Sequence, residues 1–260
     1  MRFIYATDIH GNIERLNMLL EQAMEHNVKI LHLGADFLPK GSDLLGIQKS
    51  FLKKEFKAFY LRCQEQGITV LVFFGNDDLY TRKKYFKAYG SLLDETPVTI
   101  EDYTFRAYSY ICDYPFPLKT ACKLDTRDSD RCPCWKYVTV SEKGMEEIPD
   151  IDRYFADRTT IEEDLRDLTA DDKTIMAMHM PPAYIGLDEC YGHRQVGSKA
   201  IYDWINRIQP LLVLCGHIHE SPEMTGKWRE NIGKTTVIQP GDHRSILIDI
   251  GEYVGAEEIR

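Results

Sequence analysis

The sequence predicts an α/β protein, because short apolar runs alternate with amphipathic stretches along most of its 260 residues. Runs such as ITVLVFFG and LLVLCG are apolar almost without interruption, which is typical of strands buried on both faces. The stretches between such runs carry apolar residues at i, i+3 and i+4, which is typical of helices packed on a sheet. Polar residues come directly after five of the predicted strands, and this third feature bears on function.

In the N-terminal half, strands and helices alternate strictly. The predicted strands are RFIYAT (Arg2 to Thr7), VKILHLG and ITVLVFFG, and we expect His32 of the second strand to be a packed core residue. A long helix is predicted from about Ile47 to Gln66, because Gly67 suits a helix C-terminus. Another helix is expected over TRKKYFKAYG. The first helix is predicted from apolar residues at helical spacing: Ile13, Leu16, Leu19, Leu20 and Ala23.

The pattern changes from Pro97, where VTIEDYTFRAYSY is typical of a hairpin of alternating strands. A helix near Ile161 to Leu168 begins with a capping box formed by Thr160 and Glu163. The strand KTIMAMH, the helix SKAIYDWINRIQ and the strand LLVLCG follow, and TTVIQPG and SILIDIG are two closing strands. We see no internal repeat, heptad or low-complexity linker, so we expect a single domain over residues 1–260.

Composition and charge exclude several classes of function. The net charge of −9 argues against a general nucleic-acid binder, which needs a positive surface. The longest apolar runs are far below the roughly 18 residues of a membrane span, and no secretory signal precedes the first strand, so no membrane partner is expected. Seven cysteines, an odd number, favour reduced thiols in the cytoplasm over a disulfide framework.

Polar side chains collect where the predicted strands end. Singly, each has an ordinary explanation as a helix cap, a turn residue or a core histidine. Together they favour a site, because α/β sheets bind ligands at the carboxyl ends of their strands. Two carboxylates, an amide oxygen and four imidazoles form a nitrogen and oxygen donor set that suits divalent transition metals. The seven residues are Asp8, His10, Asp36, Asn76, His179, His217 and His219.

These motifs closely resemble the calcineurin-like metallophosphoesterase superfamily, in its small stand-alone microbial branch. The resemblance covers Met1 to about Gly241 and rests on motifs in the family's order: Asp8-Ile9-His10, Asp36, Gly75-Asn76-Asp77-Asp78, His179 and Gly216-His217-Ile218-His219. It implies a four-layer α/β/β/α sandwich of two mixed sheets. It also implies that the protein is a phosphodiesterase or phosphatase with a binuclear metal centre, which hydrolyses a small phosphorylated substrate.

The same resemblance implies the role of each ligand. Asp8, His10 and His219 would bind one metal, while Asn76, His179 and His217 would bind the other. Asp36 would bridge the two ions, and a metal-bridging hydroxide would attack phosphorus in line. Manganese is our first expectation for both ions, with iron, zinc or nickel as alternatives.

The residues expected to assist catalysis depart from the family pattern. Asp77 stands where many members carry the histidine thought to protonate the leaving group. It is either that acid or a turn carboxylate that supports Asn76. Asp78 is expected to accept a hydrogen bond from a ligand histidine such as His10. His193 is the rival proton donor, and an exposed loop histidine is the alternative.

The stretch from about Ile111 to Glu147 fits the family least well, and we interpret it as an insertion that caps the active-site edge. Its cysteines are expected to be free thiols, with a zinc knob as the less favoured alternative: Cys112, Cys122, Cys132 and Cys134. Its aromatic residues could stack on a base, line a dimer contact or form a local core: Tyr110, Tyr114, Phe116 and Trp135.

Two other functions remain open beside the phosphoesterase. One is a scaffold that binds proteins and has lost catalysis. Such a scaffold is expected to lose ligands, whereas all seven positions are filled here. The other is a nuclease of the same superfamily, against which the acidic balance and the compact length argue. The oligomeric state stays open, with a homodimer as one alternative.

Overall fold

The computed structural model describes residues 1–86, 89–94, 96–141 and 143–259. The helices in these ranges are α1 (Ile13–Glu25), α2 (Leu44–Lys53), α3 (Glu55–Glu65), α4 (Lys83–Phe86), α5 (Ile151–Ala156), α6 (Ile161–Arg166), α7 (Lys199–Ile208) and α8 (Ser221–Thr225). The first nine strands are β1 (Arg2–Ala6), β2 (Ile30–Leu33), β3 (Thr69–Val72), β4 (Ser91–Leu92), β5 (Val98–Ile100), β6 (Tyr103–Tyr108), β7 (Ile111–Cys112), β8 (Cys122–Lys123) and β9 (Val138–Ser141). The others are β10 (Gly144–Glu147), β11 (Thr174–Met178), β12 (Glu189–Cys190), β13 (Arg194–Gln195), β14 (Leu212–Leu214), β15 (Arg229–Ile232), β16 (Thr235–Ile238), β17 (Ser245–Ile250) and β18 (Val254–Ile259).

Two mixed six-stranded sheets form the centre of the molecule. The first has the order β18-β17-β1-β2-β3-β4, and the second has the order β15-β16-β14-β11-β6-β5. In each sheet four neighbouring strands are parallel, and antiparallel strands complete one or both edges. The parallel strands bring their carboxyl ends to the same side of each sheet, which is where ligand sites form.

Three apolar clusters separate the layers. One lies between the sheets and includes Phe3, Phe73 and Phe105, all fully buried. A second joins the first sheet to α1, α2 and α3, and a third joins the second sheet to α5, α6 and α7. This arrangement of helices, sheet, sheet and helices confirms the predicted four-layer α/β/β/α sandwich.

Several predicted elements differ from the structure. The long helix expected from Ile47 to Gln66 is two helices, because the backbone turns sharply at Lys54, where φ is −117° and ψ is −77°. The helix expected over TRKKYFKAYG is a 3₁₀ turn at Tyr80–Arg82 followed by α4, and Lys87 and Ala88 lie outside the described residues. The capping box of Thr160 and Glu163 is present as predicted. No helix within the described ranges combines the length and apolar character needed to cross a bilayer.

Candidate metal centre

The seven predicted ligands converge at the carboxyl ends of strands from both sheets. Asp8 and His10 follow β1, Asp36 follows β2, and Asn76 follows β3, all in the first sheet. The remaining ligands come from the second sheet, because His179 follows β11 and the pair His217 and His219 follows β14. The candidate site therefore lies where the carboxyl edges of the two sheets meet.

One group of donor atoms is formed by Asp8, His10 and His219. His219 Nε2 lies 3.1 Å from Asp8 Oδ1 and 3.3 Å from His10 Nε2. The other oxygen of Asp8 accepts hydrogen bonds from the Thr7 hydroxyl at 3.0 Å and the His217 amide at 3.1 Å. These bonds fix the carboxylate so that Oδ1 faces the two imidazoles.

A second group is formed by Asp36, Asn76, His179 and His217. His179 Nε2 lies 3.0 Å from Asn76 Oδ1 and 3.2 Å from Asp36 Oδ2. The ring centroids of His179 and His217 are 5.1 Å apart. Asp36 also has a carboxylate oxygen within 4.8 Å of a ring nitrogen of His10, so it lies within reach of both groups.

The backbone of this site is strained. A positive φ is uncommon for residues other than glycine and has a cost of order 1–3 kcal/mol. Four of the seven predicted ligands have one: Asp8 at 55°, His10 at 47°, Asp36 at 54° and His217 at 69°. The left-handed conformation turns each side chain sharply away from the line of its strand and into the site.

Two motif glycines are required because ligand carboxylates pack directly against them. A Cβ at Gly75 would lie 2.7 Å from Asp36 Cγ and 2.8 Å from the Asp36 backbone nitrogen. A Cβ at Gly216 would overlap the Asp8 carboxylate and the Thr7 hydroxyl. Any side chain at these positions therefore displaces a predicted ligand.

Electrostatics keep Asp36, His10 and His217 in the charge states that bind metals, whereas His179 is protonated in the metal-free site. Burial alone raises the pKa of Asp36, but the neighbouring His179 outweighs it and lowers that pKa below its usual range. Burial lowers the pKa of His10 to about 4 and that of His217 to about 3. For His179, burial lowers the pKa, but the Asp36 charge dominates and raises it to about 9. Asp36 is thus ionised beside the neutral imidazoles of His10 and His217, and a metal ion would displace the proton of His179.

The donor set fits divalent metal ions. The carboxylates of Asp8 and Asp36 are buried, and burial of anions is costly unless cations compensate them. The nitrogen and oxygen donors of both groups converge on common points, and no cysteine belongs to either group, which suits manganese, iron or zinc. In addition, His219 Nδ1 lies 3.6 Å from Asp242 Oδ2, which places a carboxylate charge beside the ring at a distance longer than a hydrogen bond.

The structure places Asp77 inside this site. Its Oδ1 accepts from Asn76 Nδ2 at 3.1 Å, its Oδ2 lies 2.7 Å from Lys40 Nζ, and its amide donates to Asp36 Oδ1 at 2.8 Å. Burial and the Asp36 charge raise the pKa of Asp77, although Lys40 opposes them. Both expected roles, the acid and the support for Asn76, are compatible with this position.

The contacts of Asp78 differ from those expected. Its carboxylate accepts from the Leu38 amide at 2.9 Å and from the Gly75 amide at 3.0 Å, and it does not pair with His10. His10 Nδ1 is buried with no hydrogen-bond partner among the described residues. Asp78 therefore ties the loop after β2 to the loop after β3, because two unpaired amides there need an acceptor.

His193 lies in the turn between β12 and β13. Its Nδ1 is 2.6 Å from Glu189 Oε1, and 78% of its side chain is exposed. The hairpin is held by bonds from the Tyr191 amide to Glu220 and from the Glu189 amide to Ser221, just after His219. None of the contacts described for His193 joins it to the seven predicted ligands, so its expected role as proton donor stays a prediction.

Sequence reasoning missed three polar residues at this site: Thr7, Lys40 and Asp242. A signal for Asp242 was present, because it follows the predicted strand TTVIQPG in the same way that the ligands follow theirs. Lys40 carried no such signal. It comes four residues after Asp36, and only the approach of two loops brings it to Asp77.

The segment from Ile111 to Glu147 contributes an aromatic contact. The Tyr114 ring packs edge-on against the His217 ring, with centroids 5.9 Å apart, and Phe116 packs on Tyr114 in turn. Beneath them the fully buried Lys119 pairs with Asp113 at 2.6 Å. The four cysteines of this segment are free thiols, of which Cys122 is buried.

The sequence matches the family model for calcineurin-like phosphoesterases over residues 1–221. The chain therefore belongs to the calcineurin-like phosphoesterase family, as its motifs predicted, and its metal-ligand groups accord with a family of metal-dependent hydrolases. No curated protein matches the sequence significantly.

Solved structures share the fold at low sequence identity. One, from Thermus thermophilus, has a TM-score of 0.57 and 18% identity, with coverage of 100% of this chain and 99% of its own. Another, a dimetal phosphatase from Danio rerio, has a TM-score of 0.55 and 12% identity, with coverage of 99% of this chain and 95% of its own. These similarities support the fold.

Proposed function

We propose that this protein is a binuclear metal-dependent phosphoesterase that hydrolyses a small phosphodiester or phosphomonoester. The observation that carries the proposal is the convergence of seven donors from two sheets into two adjacent groups, with Asp36 within reach of both. A shared carboxylate is what two neighbouring dications require, because it reduces their mutual repulsion.

In this proposal Asp8, His10 and His219 would hold one ion, Asn76, His179 and His217 would hold the other, and Asp36 would be shared by both. When bound, a pair of divalent metals supplies Lewis acidity toward phosphoryl oxygens and lowers the pKa of water. The protein itself fixes the geometry. Thr7 and the His217 amide orient Asp8, the Asp77 amide orients Asp36, and Asp242 places a negative charge beside the His219 ring.

We further propose manganese as the ion in both positions, with iron, zinc or nickel able to replace it, because the donor set accepts all four. The free thiols of all seven cysteines support a reducing, cytoplasmic location. The contact of Tyr114 with His217 supports the interpretation that residues 111–147 cap the substrate side of the site.

The test measures bound metal and hydrolysis of bis(p-nitrophenyl) phosphate by the full chain reconstituted with Mn²⁺. We expect about two ions per chain and an activity that chelation abolishes. His217→Ala should lower turnover by at least about 100-fold, because it removes a ligand. His26→Ala is the matched control, since His26 is at the end of α1, near the amino ends of the parallel strands and away from the candidate site. One ion or none per chain would contradict the binuclear proposal, and activity equal to that of metal in buffer would favour the scaffold.

A further inference from the structure

Lys40 lies beside the candidate metal centre, where its side chain pairs with Asp77. Its Nζ lies 2.7 Å from Asp77 Oδ2, and half of its side chain is exposed. The buried side chain of Gln48 joins the two loops concerned. Its Nε2 donates to Asp77 O at 2.7 Å and to Pro39 O at 3.4 Å, while its Oε1 accepts from the Leu79 amide at 3.0 Å. The backbone that carries Lys40 is therefore fixed relative to Asp77.

The charge of Lys40 acts on both ligand groups. Burial alone lowers the pKa of Lys40, but Asp77, Asp36 and Asp8 outweigh it and raise that pKa. In return, the Lys40 charge helps to lower the pKa of His10, after the larger effect of burial. A carboxylate oxygen of Asp77 lies within 4.8 Å of donor atoms of His10 and Asp36. The ammonium group that pairs with Asp77 therefore lies beside the donors, and half of the Lys40 side chain is exposed to a ligand.

We propose that Lys40 donates a hydrogen bond to a non-bridging oxygen of the substrate's phosphoryl group, and that Asp77 positions it. This inference rests on the proposed function. Phosphomonoesters and phosphodiesters both present such an oxygen with negative charge, so the contact serves either substrate. Charge-assisted hydrogen bonds of this kind are short and about twice as strong as neutral ones.

The pairing also offsets the negative charge of Asp77. An unpaired anion at Asp77 would repel a phosphate. The ammonium group of Lys40 offsets that charge at 2.7 Å and places a donor beside it. Asp77 and Lys40 together thus supply a hydrogen-bond donor without adding net negative charge to the site.

The test is calorimetric binding of inorganic phosphate to the Mn²⁺-loaded full chain, with metal content measured on the same samples. Lys40→Gln should weaken phosphate binding by about 10- to 100-fold, because one charge-assisted hydrogen bond is lost. Lys40→Arg should recover most of that affinity. Lys57→Gln, an exposed lysine on α3, is the matched control and should bind phosphate like the original protein.

The positioning role of Asp77 is tested by a double-mutant cycle. Asp77→Asn should weaken phosphate binding in the original protein, and should have little further effect in Lys40→Gln, because the residue that it positions is gone. Additive effects would overturn this role.

Two results would overturn the role of Lys40: unchanged phosphate affinity in Lys40→Gln, or loss of metal from that variant. Either result is compatible with an original protein that binds two ions and hydrolyses esters, so it would refute the role of Lys40 and leave the proposed function standing. An original protein that binds no metal would instead refute the proposed function.

Discussion

A substitution of Gly75 tests whether Asp36 is the shared ligand. In Gly75→Ala the new Cβ lies 2.7 Å from Asp36 Cγ and 2.8 Å from the Asp36 backbone nitrogen, whereas ordinary contacts begin at 3.4 Å. Since backbone as well as side chain is in the way, rotation of the carboxylate cannot relieve the overlap. The nearest atom is Asp36 Oδ1, only 2.1 Å from the new Cβ, so the carboxylate has to move by about 1 Å. Misplacement of a site group by about 1 Å costs on the order of 100-fold in rate.

We therefore expect Gly75→Ala to lose affinity for both ions together and to hydrolyse bis(p-nitrophenyl) phosphate about 100-fold more slowly. Metal titrations and rates are measured with thermal melts, which show whether the variant is folded. Gly251→Ala is the control, because a Cβ there meets nothing within 4 Å. Asp36→Asn removes the charge at nearly constant shape and should also affect both ions. Full occupancy and rate in both site variants would refute the bridging role.

Three further predictions concern single side chains. Asp77→Asn should lower the hydrolysis rates of alkyl and aryl phosphate esters equally, with metals retained. A loss of rate about 10²–10⁴-fold larger for the alkyl ester would identify Asp77 as the acid. His193→Ala in the same assay tests the rival proton donor. Asp242→Asn should weaken metal affinity about 10- to 100-fold, because it removes the carboxylate charge beside the ring of His219, and unchanged affinity would rule out that role. Burial lowers the pKa of His32 to about 3 from an ordinary 6.5, so the unfolded chain binds a proton below pH 6.5 that the folded chain refuses until about pH 3. The free energy of unfolding of the metal-free protein should fall by about 2 kcal/mol through His32 from pH 7 to pH 5. In urea unfolding, His32→Leu should lack this pH-dependent loss. Equal pH dependence of the two proteins would contradict the prediction.

The sequence predicted the fold and the convergence of the seven polar residues, because both depend on short-range patterns. Continuous apolar runs indicated β1, β2 and β3. A residue that follows such a run lies at the carboxyl end of its strand, and the carboxyl ends of parallel strands share one edge of the sheet. The break at Lys54 was not predictable in this way, since helical spacing continues on both sides of it. Strands β15 and β18 were missed because they are edge strands with exposed polar residues and no clear apolar alternation.

The contacts around the seven residues were harder to predict than the positions of those residues. Asp78 was expected near His10, yet it binds the amides of Leu38 and Gly75. The packing of two loops decides which hydrogen-bond acceptor meets which donor. Residue spacing along the chain does not indicate how loops pack. Lys40 shows the same limit, because its partner Asp77 lies in a different loop.

The division of the donors between two sheets has a consequence for assembly. Asn76 and His179 meet at 3.0 Å although they lie 103 positions apart in the chain, and each sheet alone presents an incomplete set. A partly folded chain with only one sheet formed would therefore have weak affinity for either ion. On the proposed function, metal uptake reports that the two sheets have docked, and ions bound only by the finished molecule shift the folding equilibrium toward it.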